Sequence, residues 1–155
     1  MLLLGRVSYE MFRGFWPPVA HDPKATPAQR QISKLNGAIE KVVISNSLGL
    51  KQPGPWQNTR IIRRRDAHEQ LAELKRKRGK DILIFGSHIL WNDLLAHGLV
   101  DELHLMIGHV IVGKGTPAFA AQPPPSLELI DVRRLAKSDS VLAKYQARAR
   151  KKGKH

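Results

Sequence analysis

The chain contains no cysteine. That excludes disulfides, thiolate-bound zinc and thiol catalysis, and it fits a cytoplasmic protein. It also has no uncharged apolar run of the length a membrane span needs, so no membrane-embedded role is expected. Met1-Leu2-Leu3-Leu4 is too short for a signal-peptide core and has no basic flank before it. Aromatic residues make up only 6% of the chain, so the basic charge is not interleaved with stacking platforms, and no nucleic-acid-binding signature is present. Specific nucleic-acid recognition is therefore not expected. Several catalytic signatures are missing too. There is no GxxxxGK[ST], no GxGxxG after a strand, no HExxH and no GxSxG, which disfavours P-loop ATPases, Rossmann dehydrogenases, zinc proteases and Ser-His-Asp hydrolases. The seven histidines are scattered, and no metal site is expected.

Acidic residues are scarce relative to basic ones. Thirteen Asp and Glu oppose 26 Lys and Arg, giving a net charge of +13. The excess is concentrated in Arg63-Arg64-Arg65, in Lys75-Arg76-Lys77-Arg78 and in the segment from Arg148 to Lys154. Such charge reads as a solvated basic surface with a frayed tail, or as attraction for an anionic partner, either a phosphorylated cofactor or nucleic acid. The length of 155 residues suffices for one domain with a full core.

The most informative segment is Ile82-Leu83-Ile84-Phe85-Gly86-Ser87-His88-Ile89-Leu90. Four apolar residues read as a buried strand, and Gly-Ser leads into an apolar-periodic helix carrying Ile89, Leu90, Leu94 and Leu95 on one face. A strand that ends in glycine and feeds a helix N-terminus gathers unpaired N–H groups and the positive end of a dipole, a setting suited to phosphate. Gly5-Arg6 follows the strand Leu2–Leu4 in the same manner. Ser45-Asn46-Ser47 follows the β-branched strand starting at Lys41. A short helix from about Ser8 to Phe12 is expected, with Ser8 as its cap and Phe15 to Pro27 as loop. Thr26-Pro27 predicts a helix running to Leu35 and ending at Asn36-Gly37. Thr59–Ile62 reads as a strand, and Asp66 as the cap of a helix with Leu71 and Leu74 inward. Asp81–Phe85 and Val100–Ile107 read as further strands, and Val110–Val112 as a continuation of the latter. Residues 127–132 and 141–145 alternate with period two and read as antiparallel strands. The pattern implies an α/β fold, a three-layer αβα mixed sheet with an antiparallel C-terminal edge, over residues 1–146, with 147–155 as a basic disordered tail.

Open α/β sheets bind ligands beyond the carboxyl ends of their strands. If the three turns share one rim, Gly5 and Gly86 let a ligand approach the backbone, and Arg6, Ser45 and Ser87 contact phosphate. At these residues the chain resembles a known family. Leu2 to Phe12 resembles the LLGRxTYE segment of the dihydrofolate reductase-like superfamily, and more narrowly that of the RibD C-terminal (riboflavin-biosynthesis reductase) domain. Lys41–Ser47 is similar to its KVVxSRT segment, Trp56-Gln57-Asn58-Thr59 to WxNT, and Gly79–Ser87 to GKDIxxxGS. Gly98–Leu103 is similar to GLVDEL, and Val110–Phe119 to PVxxGxGxPLF. The similarity spans about residues 1–146.

The resemblance implies a dihydrofolate reductase-like fold, NADPH as hydride donor and a small pyrimidine or pterin-like substrate. It also implies two readings of the late antiparallel strands, 127–132 and 141–145: pairing across a homodimer, or an ordinary sheet edge. It carries phosphate-binding roles over to Gly5, Arg6, Ser8, Gly86, Ser87, His88 and Ile89. The strand-end Ser-Arg pair that meets the adenosine 2′-phosphate carries over only to Ser45, because Asn46 stands where such proteins have Arg. Arg63 or Arg64 is expected to supply the missing charge. Relatives begin with a strand and a helix ahead of the segment corresponding to LLLGR, so the strand Leu2–Leu4 is expected to lack a neighbour. No proton donor is identified: Glu10 is expected to face solvent or to fix the Gly5 turn, and Asp101 and Glu102 qualify only by charge. The alternative to a reductase of the 5-amino-6-(5-phosphoribosylamino)uracil type is a non-catalytic nucleotide- or protein-binding module.

Overall fold

The computed structural model describes residues 1–49, 55–119 and 126–148. The chain divides into two compact units, Met1–Leu90 and Trp91 onward.

In the first unit, β1 (Leu2–Gly5), β2 (Lys41–Ile44), β3 (Thr59–Ile62) and β4 (Leu83–Ile84) form a parallel sheet in the order β3-β2-β1-β4. The helices are α1 (Arg6–Val19), α2 (Pro27–Ala38), α3 (Ala67–Arg76) and α4 (His88–Ala96), and α4 runs on into the second unit. Leu2, Leu3, Leu4, Val42 and Val43 are all at most 3% exposed. Burial on both faces of the central strands is what a parallel sheet with crossover helices requires. One face packs Leu2, Leu4 and Val43 with Tyr9 of α1, Leu48 and Trp56. Contrary to the sequence expectation, β1 has neighbours on both sides, β2 and β4.

Four local expectations are corrected. The first concerns α1, which starts at Arg6 rather than Ser8 and continues through Pro17 and Pro18 to Val19. Tyr9 is buried, Phe12 and Trp16 pack against the same cluster, and the Trp16 carbonyl accepts a hydrogen bond from the Ser33 hydroxyl at 2.5 Å. Packing along this face outweighs proline punctuation confined to the last turn. The second concerns β4, which is short and lies at the sheet edge. Leu83 and Phe85 are 54% and 60% exposed, so the apolar run is not a fully buried strand. The third is Ile89, which is 71% exposed rather than part of the inward face, while Leu94 and Leu95 are buried. The fourth is Asp66, which makes no side-chain cap; a 3-10 turn, Arg64–Asp66, leads into α3 instead.

Helix α2 has the Thr26 cap in full. Its hydroxyl accepts from Gln29 N–H, and the Gln29 side chain accepts from Thr26 N–H. The helix passes Asn36-Gly37 and ends at Ala38. Asn58 Nδ2 donates to the carbonyls of Gly37, Ala38 and Ile39 at 3.0, 3.1 and 2.9 Å. Lys41 Nζ, in a fully buried side chain, donates to Ile39 O at 2.7 Å and Asn58 Oδ1 at 3.1 Å, and lies 4.5 Å from the Trp56 ring centre. A cation at a helix C-terminus opposes the negative end of its dipole.

The second unit is a three-stranded antiparallel sheet in the order β5-β7-β6, from β5 (Glu102–Ile107), β6 (Ser126–Arg134) and β7 (Val141–Arg148), with an irregularity between Leu129 and Asp131. Residues Val110–Val112 form no strand. Gly98, at φ +67°, ends α4. Ala147 and Arg148 belong to β7; the rest of the expected tail, with the connections at 50–54 and 122–125, lies outside the described residues. Parallel strands followed by antiparallel ones give the mixed α/β class that the sequence suggests. No helix among the described residues is long and apolar enough to cross a membrane.

Candidate functional site

The parallel register sets the geometry of one rim. Gly5 of β1 is level with Ile44 of β2, and Ile44 with Ile62 of β3. The residues just beyond, Arg6, Ser45 and Arg63, therefore leave the sheet at the same border. β4 enters in the same direction, with Leu3 paired to Ile84, and continuing that register brings Gly86 level with Gly5.

Two of these turns are clasped. Gly5 N–H donates to Ser87 Oγ at 3.0 Å, and Ser87 N–H donates to Ser8 Oγ at 3.0 Å. Each hydroxyl keeps its own O–H to give elsewhere. The clasp depends on consecutive left-handed residues, Gly86 at φ +65° and Ser87 at φ +55°. A Cβ at Gly86 would meet Ser8 Oγ at 3.6 Å, an ordinary contact, so backbone conformation rather than space selects glycine there. Ser8 is thus part of the clasp rather than the cap of α1.

Helices α1 and α4 start at the clasp, and neither has an acidic residue in its first turn. The field at both N-termini is therefore positive and open to an anion. Arg6 opens α1, its Nη1 2.8 Å from Glu10 Oε2, with both side chains about half exposed. Glu10 faces solvent and holds Arg6. His88 and Ile89 supply the first backbone positions of α4.

Ser45 is placed differently from expectation. It is 3% exposed, and its Oγ accepts from Ser47 N–H and Leu48 N–H at 3.2 and 3.0 Å. It shapes the β2 turn from within. Arg63 is also engaged in bracing: its Nη1 donates to the carbonyls of Asn46, Ser45 and Leu48 at 2.5, 3.3 and 3.4 Å. Arg64 N–H donates to Asn46 Oδ1 at 3.0 Å. Beside these residues lies an open cavity of about 320 Å³ lined by Asn46, Arg63 and Arg65. Arg65 was not singled out from the sequence, where the three arginines are indistinguishable. Asp101 and Glu102 lie in the second unit, at the start of β5.

The family model described as the RibD C-terminal domain matches residues 1–141. Among curated proteins, the chain is 30% identical over 118 residues to the uncharacterized protein YyaP of Bacillus subtilis strain 168, covering 76% of this chain and 58% of that protein. The chain therefore spans less than two thirds of that relative's length. Its structure is similar to a provisionally named riboflavin biosynthesis protein from Shewanella sp. PV-4, with a TM-score of 0.64 and 17% identity over 95% of this chain and 73% of the other. A pyrimidine reductase-like protein from Corynebacterium diphtheriae aligns with a TM-score of 0.56 and 15% identity over 94% and 75% of the two chains. Dihydrofolate reductase from Enterococcus faecalis, solved with NADP(H), aligns with a TM-score of 0.52 and 15% identity over 94% and 73%. These likenesses establish the dihydrofolate reductase-like fold.

Proposed function

This chain belongs to the RibD C-terminal domain family, and from that premise we propose that it is an NADPH-dependent reductase of a small pyrimidine or pterin-like compound, of the 5-amino-6-(5-phosphoribosylamino)uracil reductase type. The observation that carries the reading is the Gly5–Ser87–Ser8 clasp, which joins two acid-free helix N-termini at the carboxyl border of one sheet. A diphosphate suits such a place, because main-chain N–H groups and two dipoles converge on it with no acidic residue in either first turn, the Glu10 carboxylate being engaged by Arg6 one turn further on.

The cofactor, when bound, supplies the hydride. The chain's own residues bind and orient it. Gly5 and Gly86 admit the diphosphate to the backbone, Arg6 adds positive charge, and the first N–H groups of α4, at His88 and Ile89, point along the dipole. Ser8 and Ser87 lock the two turns together, so that the donors are arranged before binding. Ser45 and Arg63 shape the neighbouring turn. The proton donor for the reduced substrate is not assigned. Exposed Leu129, Ile130 and Val132 on the edge strand β6, 48–58% accessible, support a homodimer through that strand, which sedimentation velocity tests.

NADPH fluorescence titration tests the assignment. Saturable binding that weakens with salt and is lost in Gly86→Asp is the expected result. Wild-type chain that binds no NADPH overturns it. Binding without NADPH consumption across pyrimidine and pterin substrates points instead to a non-catalytic nucleotide-binding module.

A further inference from the structure

We infer that the outer edge of β4, with the flank of α1 beside it, is a docking groove for one extended segment of another polypeptide, apolar at alternate positions and acidic at the end beside Lys80. The groove lies wholly in the first unit and needs no cofactor. β4 pairs with β1 on one side only and ends the sheet order β3-β2-β1-β4. Leu83 N–H donates to Met1 O at 2.9 Å. Successive residues of a strand turn their N–H and C=O to opposite sides, so Ile84 turns its pair away from β1, toward the open edge. The side chains next to that edge are apolar and uncovered. Leu83 and Phe85 share one face of β4, and the Phe85 ring lies against Phe12 of α1 with centres 6.0 Å apart. Ser8, which holds Ser87, shares its helix face with Met11, Phe12 and Phe15, at steps of three and four. On this flank of α1, Val7, Met11 and Phe15 are 70, 60 and 53% exposed.

A bare row of backbone donors and acceptors beside an apolar wall fits an added strand: the ladder supplies affinity, and alternate side chains fill the wall. Charge decides the occupant. The chain enters β4 through Arg76, Lys77, Arg78 and Lys80, which are exposed and have no ion pair among the described residues. Asp81 is the sole acid from Leu74 to Asn92. A second copy of this chain, also at +13, would bring its own basic run to the edge and be repelled. An acidic segment is attracted instead. The sheet is parallel throughout, and a strand that continues it begins beside Lys80, so the acids belong at that strand's N-terminal end.

The test uses the whole chain and a synthetic peptide of about eight residues, alternating valine and threonine after two N-terminal glutamates. Titration calorimetry reads the affinity, and amide exchange reads the place. Saturable binding that slows exchange at Ile84 is the expected result. Met11→Glu, which sets a charge in the apolar wall, should weaken it at least about tenfold with the far-UV spectrum unchanged. The same peptide with lysines for the glutamates should bind about tenfold more weakly, a gap that Lys80→Glu narrows and salt screens. A peptide methylated on every second amide nitrogen, in the phase that faces β4, cannot extend the ladder and should not bind. No binding of the glutamate peptide overturns the inference, as does binding that leaves Ile84 exchange unchanged or survives methylation in both phases. Ile84 protection already present without peptide, and lost together with a dimer in Met11→Glu by sedimentation velocity, also overturns it, because a second copy then fills the edge.

Discussion

The clasp can be perturbed one atom at a time, and the structure sets the size of the response. Ser87 contributes a hydroxyl that accepts Gly5 N–H at 3.0 Å and a backbone held at φ +55°. Replacing it with Ala removes the acceptor and keeps the strain. An unsatisfied, partly buried N–H costs about 1–2 kcal/mol. Replacing it with Gly removes the same acceptor but relieves about 1–2 kcal/mol of left-handed strain. Glycine then returns about 0.5–1 kcal/mol as extra freedom of the unfolded chain. The net expectation is that Ser87→Gly is more stable than Ser87→Ala by about 0.5–1 kcal/mol, although both lose the hydrogen bond.

The companion change is Ser8→Ala, which strips the acceptor from Ser87 N–H and costs about 1 kcal/mol. Because both bonds hold the same two-residue turn, the Ser8→Ala/Ser87→Ala double variant is expected to fall short of additivity by about 0.5 kcal/mol. Urea unfolding followed by far-UV circular dichroism and tryptophan emission reads these differences. At typical slopes, 1 kcal/mol is a midpoint shift of about 0.5 M. A Gly variant less stable than the Ala variant would show that Ser87 is not strained. Strict additivity of the two Ala changes would show that the bonds are independent and that no clasp exists.

Asn58→Ala removes the donor shared by three carbonyls at the end of α2 and should cost about 2 kcal/mol in a urea titration, with cofactor affinity little changed. Lys41 has its pKa lowered by burial from 10.5 to about 8, so between those values the unfolded chain holds the proton that the folded chain has lost. The cost of the buried charge is present in full below pH 8 and fades as pH rises toward 10.5, so wild type should gain stability relative to Lys41→Met between pH 8 and 10. A flat difference across that range would mean that Lys41 is not desolvated. Gly86→Asp should abolish NADPH binding while the far-UV spectrum is retained, because it sets a carboxylate between the two helix N-termini and strains a φ of +65°.

How much of this was legible depends on whether the signal was local. β2 and β3 announce themselves as β-branched runs bounded by turn residues, and the Thr26-Pro27 start of α2 is written in its capping box. The rim followed from glycines and serines recurring at strand ends. By contrast, the edge position of β4 is invisible in Ile82–Phe85, since an apolar run reads alike in a central or an outer strand. The length of α1 was hidden by Pro17-Pro18, whose local effect yields to the packing of Tyr9, Phe12 and Trp16. The roles of Arg63 and Arg65 could not be separated either, because consecutive arginines differ only in which way the folded backbone aims them.

Lys41 and Trp56-Gln57-Asn58-Thr59 show what such family-like segments do physically. Read alone, a lysine at a strand start and a tryptophan in a loop invite a binding role. The structure gives them another. Asn58 and Lys41 close the exposed carbonyls of α2, and Trp56 lies against the Lys41 ammonium and the Tyr9 ring, 6.1 Å from the latter. Tyr9 in turn sits one residue beyond Ser8, which holds Ser87. The segments that resemble the family therefore separate into a cap that seats α2 against the start of β2 and a clasp that joins β1 to β4. Helix α1 links the two through adjacent residues. If that linkage transmits no strain, Asn58→Ala should loosen the cap without opening the clasp, since Ser8 and Ser87 are tied by their own hydrogen bonds. Amide exchange resolves the point: protection at Gly5 and Ser87 should persist in Asn58→Ala while Ile39 and Lys41 lose theirs. Simultaneous loss at both places would instead make the first unit a single cooperative block, with the rim dependent on the far end of the sheet.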